Sequence, residues 1–354
     1  MSLSLPIQGR GAASNPPNRF EPIDVVWDES SEVDPAEMPA PQTVYLRDSS
    51  RSIITQQDSP DVHMEASINP YRGCEHGCIY CYARPTHEYF GLSAGLDFET
   101  KIFVKEDAPQ LLRAELMSKR YTPKVISISG VTDCYQPIER KLEITRRCLE
   151  VLNEFGNPTG IITKSHLITR DVDILSEMAK RNLVAAIVSI TTLDVELHRV
   201  FEPRAATPAR RLNAIETLAK AGVRTGVMVA PVVPGMTDHE MPAILKAAAD
   251  AGACFAGYVP LRLPFALAPM FEDWLEKHFP QRKSKVLNRI RQIRGGKLND
   301  SDFHTRMTGE GPLAEQLSNL FDVAKRRAGI TAEDLPPLSK DHFRRPSGPQ
   351  MTLW

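Results

Sequence analysis

The sequence predicts an α/β fold, a partial (β/α)6 TIM-like barrel over residues 61–278. A disordered or extended arm over 1–60 precedes it, and a helical, basic extension over 279–354 follows. Three observations predict this. From residue 64, apolar β-branched runs alternate with helical stretches, as parallel strands buried on both faces require. Residues 1–60 are rich in Pro, Ser and Asn and hold no sustained periodicity. Beyond residue 278 the charge balance turns basic.

Composition excludes little else. Of 354 residues, 42% are hydrophobic and 25% charged, with a net charge of −1, so any basic face must be local. No apolar run approaches the roughly 18 residues of a membrane span. The first residues lack a basic segment followed by an apolar core, so no membrane association and a cytoplasmic location are expected.

In the arm, Val25-Val26-Trp27 could dock on the core, against the alternative of a solvated tail. Strands are expected at 65–70, 124–130, 160–165, 184–192, 224–233 and 254–263, each bounded by turn signals. Helices are expected at 81–90, 107–118, 142–155, 171–181, 207–221, 238–251 and 265–278. Leu142, Leu149 and Leu152 recur at near-helical spacing, and Asp171 suits an N-cap before Ile174, Leu175 and Met178. Between Lys277 and Lys297 lie eight Lys or Arg and no Asp or Glu, with Leu287, Ile290 and Ile293 along one edge. A further helix is expected near 312–328. In barrels of this kind chemistry collects at the C-terminal ends of the strands.

The chemical signal is Cys74-Glu75-His76-Gly77-Cys78-Ile79-Tyr80-Cys81. Of six cysteines, three fall in these eight residues, a poor disulfide pattern and a good metal pattern. Thiolates at C-x3-C-x2-C spacing can converge on three irons of one cluster, and clusters normally take four cysteines. One iron is left open to a ligand that is not protein. Structural zinc is the rival; it wants four closed ligands, and His76 or His87 could supply the fourth.

This spacing, on a loop leading from a strand into a helix, resembles the radical S-adenosylmethionine (SAM) superfamily. The runs NPYRGCEHGC, CYARPTHEY and TDCYQP resemble an uncharacterised branch of its spore photoproduct lyase-related, DNA repair photolyase-like group, over roughly residues 60–335. The resemblance implies the partial barrel, a [4Fe-4S] cluster on Cys74, Cys78 and Cys81, and S-adenosylmethionine chelating the open iron. One electron, from a reductant such as flavodoxin or ferredoxin, would cleave the sulfonium to methionine and a radical that abstracts hydrogen.

It also implies roles along the strand ends. Tyr80 would lie near the adenine. The turn Ser129-Gly130 would hold the cofactor's amino group, with Asp133 adding a charge-assisted hydrogen bond or serving as a turn residue. Lys164 would suit the methionyl carboxylate or an anionic substrate, against a simple surface lysine. Ser189 and Thr191 would meet the ribose. Arg204 would pair with the cofactor carboxylate, with Glu202 or with another acid. Val233 and Gly235, in a rigid Pro-Gly turn, would pack on the adenine. The lyases carry a hydrogen-donor cysteine where this chain has Gly130; Cys134 is the substitute candidate, against a buried structural thiol. Cys148 and Cys254 read as core residues.

Two features lean toward DNA. The basic 277–297 segment could track phosphates, or be a solvated helix face. Gln350-Met351-Thr352-Leu353-Trp354 resembles the peptides that bind the DNA sliding clamp. The leading expectation is therefore a radical SAM enzyme acting on DNA, with repair lyase-like chemistry. The alternatives are modification of a peptide, tRNA or small metabolite, or a non-enzymatic Fe–S or zinc binding module.

Overall fold

The computed structural model describes residues 7, 9–21, 41–61, 64–331 and 335–346. In chain order its strands are β1 Val44–Arg47, β2 Thr55–Gln56, β3 Ala66–Ile68, β4 Tyr71–Arg72, β5 Lys101–Val104 and β6 Ile126–Ile128. Then come β7 Thr159–Thr163, β8 Val184–Ser189, β9 Arg224–Val232 and β10 Phe255–Pro260. The main sheet has the order β10-β9-β8-β7-β6-β3-β2. Its six strands β3 and β6 to β10 pair in parallel, and β2 adds an antiparallel edge. All six expected strands are there, and the sheet stays open between β10 and β2. A second sheet, β1-β5-β4, was not anticipated. Its strands run two to four residues, too short for a periodicity to register.

The helices are α1 Leu96–Thr100, α2 Ala108–Met117, α3 Glu139–Leu142, α4 Ile144–Phe155, α5 Val172–Ala179 and α6 Val195–Phe201. After these come α7 Pro208–Lys220, α8 Met241–Asp250, α9 Leu267–His278, α10 Pro280–Gln292, α11 Thr305–Thr308 and α12 Pro312–Arg327. α4 buries Ile144, Cys148, Leu149, Val151, Leu152 and Phe155, the apolar stripe of an amphipathic helix laid on a sheet. Glu143, at φ 52°, separates it from α3, so the helix expected at 142 starts later.

Three expectations change. The helix expected at 81–90 is 3-10 helix over Arg84–Phe90. Asp171 does not cap α5 through its side chain; its buried carboxylate accepts from Tyr135 Oη (3.1 Å), Arg146 (3.0 Å) and Arg170. Cys148 is core, but Cys254 is only half-buried, its Sγ 3.4 Å from the Thr225 carbonyl oxygen.

The described part of the N-terminal arm is not a solvated tail. Gly11 and Ala12 donate their N–H groups to the Glu99 carboxylate at 3.1 and 2.8 Å, and Asn15 exchanges two bonds with Asp97. Asn18 Nδ2 donates to the carbonyls of Glu88 and Leu92. Specific polar contacts of this kind need no hydrophobic period, so a periodicity reading misses them. Val25-Val26-Trp27 and Gln350–Trp354 lie outside the described residues.

The basic segment is also less free than its charge count suggests. Lys283 pairs with Glu276 (3.0 Å), Arg289 with Asp238 (3.2 Å) and Arg291 with Glu272 (4.0 Å). Arg294 is buried, donating to the carbonyls of Pro260, Leu261, Thr305 and Arg306. Acids from neighbouring elements thus pair at least three of its eight cations.

Candidate active site

The cysteine loop follows β4 and lies at the C-terminal end of the sheet. Its path depends on Gly73 and Gly77, at φ 77° and 67°; a Cβ on Gly77 would approach Glu99 Oε2 to 2.8 Å. Cys74 N–H donates to the Phe98 carbonyl (2.9 Å), and Glu75 N–H to Gln136 Oε1 (3.0 Å). Arg84 Nε and Nη2 hold the Cys78 carbonyl at 3.0 and 2.9 Å. The three thiols are free. Burial, followed by the charge of Asp133 and then of the other two cysteines, pushes Cys74 well up. Burial and then Glu202 raise Cys78 to about 12, and burial also raises Cys81. Iron would take the place of those protons.

The donor set fits a cluster better than a single ion. Among the described residues no three His, Cys, Asp or Glu side chains converge on a point for one metal ion. A cluster gives each thiolate its own iron and needs no such point. Each candidate zinc histidine has one ring nitrogen engaged in the fold, while His87 Nδ1 is buried without a partner among the described residues. His87 Nε2 donates to the Lys101 carbonyl at 2.9 Å with its ring edge-on to Phe98, and burial lowers it to about 4. His76 Nδ1 lies 3.4 Å from Asp133.

At the end of β6, Ser129 takes φ 82°, uncommon outside glycine, and its Oγ accepts from Cys134 N–H at 2.9 Å. Asn69 Oδ1 accepts from the N–H groups of Gly130 (2.8 Å) and Val131 (3.1 Å), so it shapes this turn. Asn69 was missed because Asn before Pro reads only as a turn residue.

Asp133 ties this turn to the next strand end. It accepts from Thr163 Oγ1 and Lys164 N–H, both at 2.7 Å. Burial alone would raise its carboxyl; the His76 charge and these bonds outweigh it and hold it at about 2. Lys164 Nζ lies 5.8 Å from the Tyr80 ring centroid. Among the described residues it has no ion pair or hydrogen-bond partner.

Tyr80 packs on Phe201 with centroids 4.4 Å apart, and its hydroxyl makes a very short bond to Glu202. Glu202 in turn pairs with Arg211 at 2.6 Å, neither side chain exposed, and accepts from Thr191 Oγ1 at 2.9 Å. Burial would raise the Glu202 carboxyl, but Arg211 and then Lys164 hold it at about 2. The partner of Arg204 is Glu75, at 3.2 Å, rather than Glu202. Ser189 contributes its carbonyl to Arg211 Nη1 (3.1 Å). Val233 is buried, with its N–H on Thr237 Oγ1 (2.9 Å), and Gly235 N–H donates to Asp238 (2.9 Å).

Cys134 is fully buried in the main aliphatic core, and burial pushes its thiol well up. Of the two readings left open by the sequence, its position matches the structural thiol. Sequence reasoning also missed Tyr82, beside Cys81 and largely exposed, whose hydroxyl donates to the Gly130 carbonyl at 2.5 Å.

The profile of the Radical SAM superfamily matches residues 68–248, about half of the chain. An uncharacterised protein of Mycobacterium tuberculosis is 36% identical over 229 residues, 64% of this chain and 66% of its own length. The chain thus spans just under two thirds of that relative. A radical SAM Nα-GlyT isomerase of Pseudomonas phage M6 is 26% identical over 61% of this chain and 44% of its own. Among solved structures, a spore photoproduct lyase mutant superposes with a TM-score of 0.58 at 15% identity, covering 80% of this chain and 79% of that one. The same lyase complexed with dinucleoside spore photoproduct gives 0.57 at 16% identity, covering 80% and 79%. These two likenesses are of fold.

Proposed function

The chain belongs to the radical SAM superfamily, and we propose on that premise that Cys74, Cys78 and Cys81 hold its [4Fe-4S] cluster and that its substrate is a nucleic acid. The cluster and S-adenosylmethionine, when bound, supply one-electron cleavage of the sulfonium and hydrogen abstraction from substrate. The chain's own residues bind and orient. Lys164 meets the methionyl carboxylate. Asp133 fixes the Lys164 backbone and, through Thr163, the end of β7. The Glu202–Arg211 pair locks Tyr80 beside the cofactor, and Asn69 sets the Gly130 turn that receives the amino group. The Val233–Gly235 turn offers a rigid wall to a flat ring.

The observation that carries this reading is Lys164, a cation at a strand end with no ion pair among the described residues. Its charge reaches Glu202 without touching it, which leaves the ammonium's own donors open to the carboxylate of a ligand. The nucleic-acid part rests on analogy of fold with a lyase solved with a dinucleoside. An external reductant such as flavodoxin or ferredoxin completes the scheme. Clamp binding through Gln350–Trp354 rests on its sequence pattern alone, and retention of the clamp after that peptide is scrambled would remove it.

The test is a comparison of Lys164→Met with Lys164→Arg after anaerobic reconstitution. Lys164→Met is expected to raise the KM for S-adenosylmethionine at least tenfold at unchanged iron content, with partial rescue by Arg. Equal KM in all three proteins removes Lys164 from the site. Deuterium that does not pass from labelled DNA or RNA oligonucleotides into 5′-deoxyadenosine, while deuterium from a labelled peptide or metabolite does, removes the nucleic-acid assignment.

A further inference from the structure

The mouth of the site carries exposed aromatic rings where a soluble protein ordinarily hides them. Tyr82 is 55% exposed, Phe265 61% and Phe303 53%. Isolated exposed rings mean little, but these share a surface with guanidinium groups. Arg19 stacks on Phe265 with its Cζ 3.6 Å from the ring centroid, and Arg306 lies 4.5 Å from the centroid of Phe303. Arg262, two residues past β10, reaches Met307 beside Arg306, with Asp61, Asp300 and the Tyr82 hydroxyl also near it. Tyr82 reaches the Gly130 turn itself, so this surface begins at the reaction site.

Two details separate these residues from ordinary surface. Phe265 adopts φ 53°, a left-handed conformation that bulky residues rarely take, and it does so with its ring turned outward. Arg262 has a buried Nε with no hydrogen-bond partner, and among the described residues it forms no ion pair; its Nη1 meets only Met307 Sδ, at 3.3 Å. A guanidinium in this state lacks the planar, two-oxygen partner for which its fork is shaped. Arg306 is already paired with Asp61, and in the basic segment Arg289 and Arg291 are paired with acids and Arg294 is buried, so among the described residues Arg262 is the guanidinium of this surface that lacks an acid.

We propose that Tyr82, Phe265 and Phe303, with Arg262 and Arg306, bind an unpaired nucleic-acid strand. Bases stack on the rings and Arg262 takes a phosphate. Stacking accepts any base because each has a π-face, and it requires bases that are not already stacked in a duplex. A flat ring also reaches the Gly130 turn only from an unpaired or extruded nucleotide. This inference rests on the nucleic-acid reading above and narrows it to unpaired strands met by this rim.

Fluorescence anisotropy tests it on the reconstituted full-length protein with S-adenosylmethionine, using dye-labelled single-stranded DNA, single-stranded RNA and the matching duplex. Single strands, DNA or RNA, are expected to bind at least tenfold tighter than duplex. Phe265→Ala and Phe303→Ala are each expected to weaken single-strand binding by roughly tenfold, and Arg262→Gln to do so with a reduced salt dependence. Uncoupled release of 5′-deoxyadenosine from Phe265→Ala and Phe303→Ala should match the parent, showing that the site is intact. Duplex binding as tight as single-strand binding, variants as tight as parent, or no binding of any strand overturns the proposal. Strand binding by a protein that cleaves no S-adenosylmethionine instead defeats the enzymatic reading and leaves this surface standing.

Discussion

Arg84 and Glu99 form an ion pair at 2.5 Å beneath the cysteine loop, with neither side chain exposed. Arg84 also holds the Cys78 carbonyl, and Glu99 receives the N–H groups of Gly11 and Ala12. The pair therefore joins the N-terminal arm to the backbone of a proposed iron ligand. Removing one partner leaves a buried charge without compensation, at about 3–5 kcal/mol. Arg84→Met is expected to lower stability by that order in denaturant titration and to bind less iron on reconstitution. Full iron content with unchanged stability would show that the pair is incidental.

Gly11 tests the arm more gently. A Cβ there would approach the Gly77 carbonyl oxygen to 1.8 Å, a backbone atom that cannot step aside. Gly11→Ala is expected to lift the arm, leave the sheet intact by circular dichroism, and speed loss of the cluster's visible absorbance in air several-fold. An unchanged decay rate would mean that the arm does not shield the loop.

Arg289 links α10 to the turn after β9. It pairs with Asp238, which accepts the Gly235 N–H, and its Cδ would lie 3.0 Å from a Cβ on Gly235. Arg289→Ala is expected to raise the KM for S-adenosylmethionine about tenfold with iron content unchanged, because the turn loses its anchor. An unchanged KM would confine Arg289 to ordinary surface pairing.

Burial lowers His87 to about 4, whereas the unfolded chain protonates near 6.5. Between these values the unfolded state binds the extra proton. Stability therefore falls as pH drops from about 6.5 toward 4, by at most about 3 kcal/mol, and this contribution levels off below. His87→Gln is expected to flatten that slope in denaturant titrations of the cluster-free protein. A variant with the parent's slope would assign the pH dependence to other groups.

Cys134 separates two histories of the site. Packed among aliphatic side chains, its thiol is expected to matter for stability, with Cys134→Ala costing about 1–2 kcal/mol, and not for chemistry. Loss of product formation with 5′-deoxyadenosine release intact would restore it as a hydrogen donor.

The strands and the cysteine loop were legible because each rests on a local pattern: apolar runs for β7 and β8, three thiols in eight residues for the loop. What stayed hidden depends on distant partners. Glu99 meets Gly11 across 88 positions and Arg84 across 15, and none of the three stands out from its neighbours in sequence. The pairing within the basic run was hidden for the same reason, since Asp238, Glu272 and Glu276 reach three of its cations from outside the run. Arg204 was readable as an arginine in need of an acid, but only the fold chose Glu75.

The most direct test of the central claim is release of 5′-deoxyadenosine from S-adenosylmethionine by anaerobically reconstituted, dithionite-reduced protein. The parent is expected to bind four irons per chain and release 5′-deoxyadenosine, and Cys74→Ala, Cys78→Ala and Cys81→Ala each to lose both. A parent protein with a full, reducible cluster that releases none, or a cysteine variant that releases as much as the parent, would contradict the account.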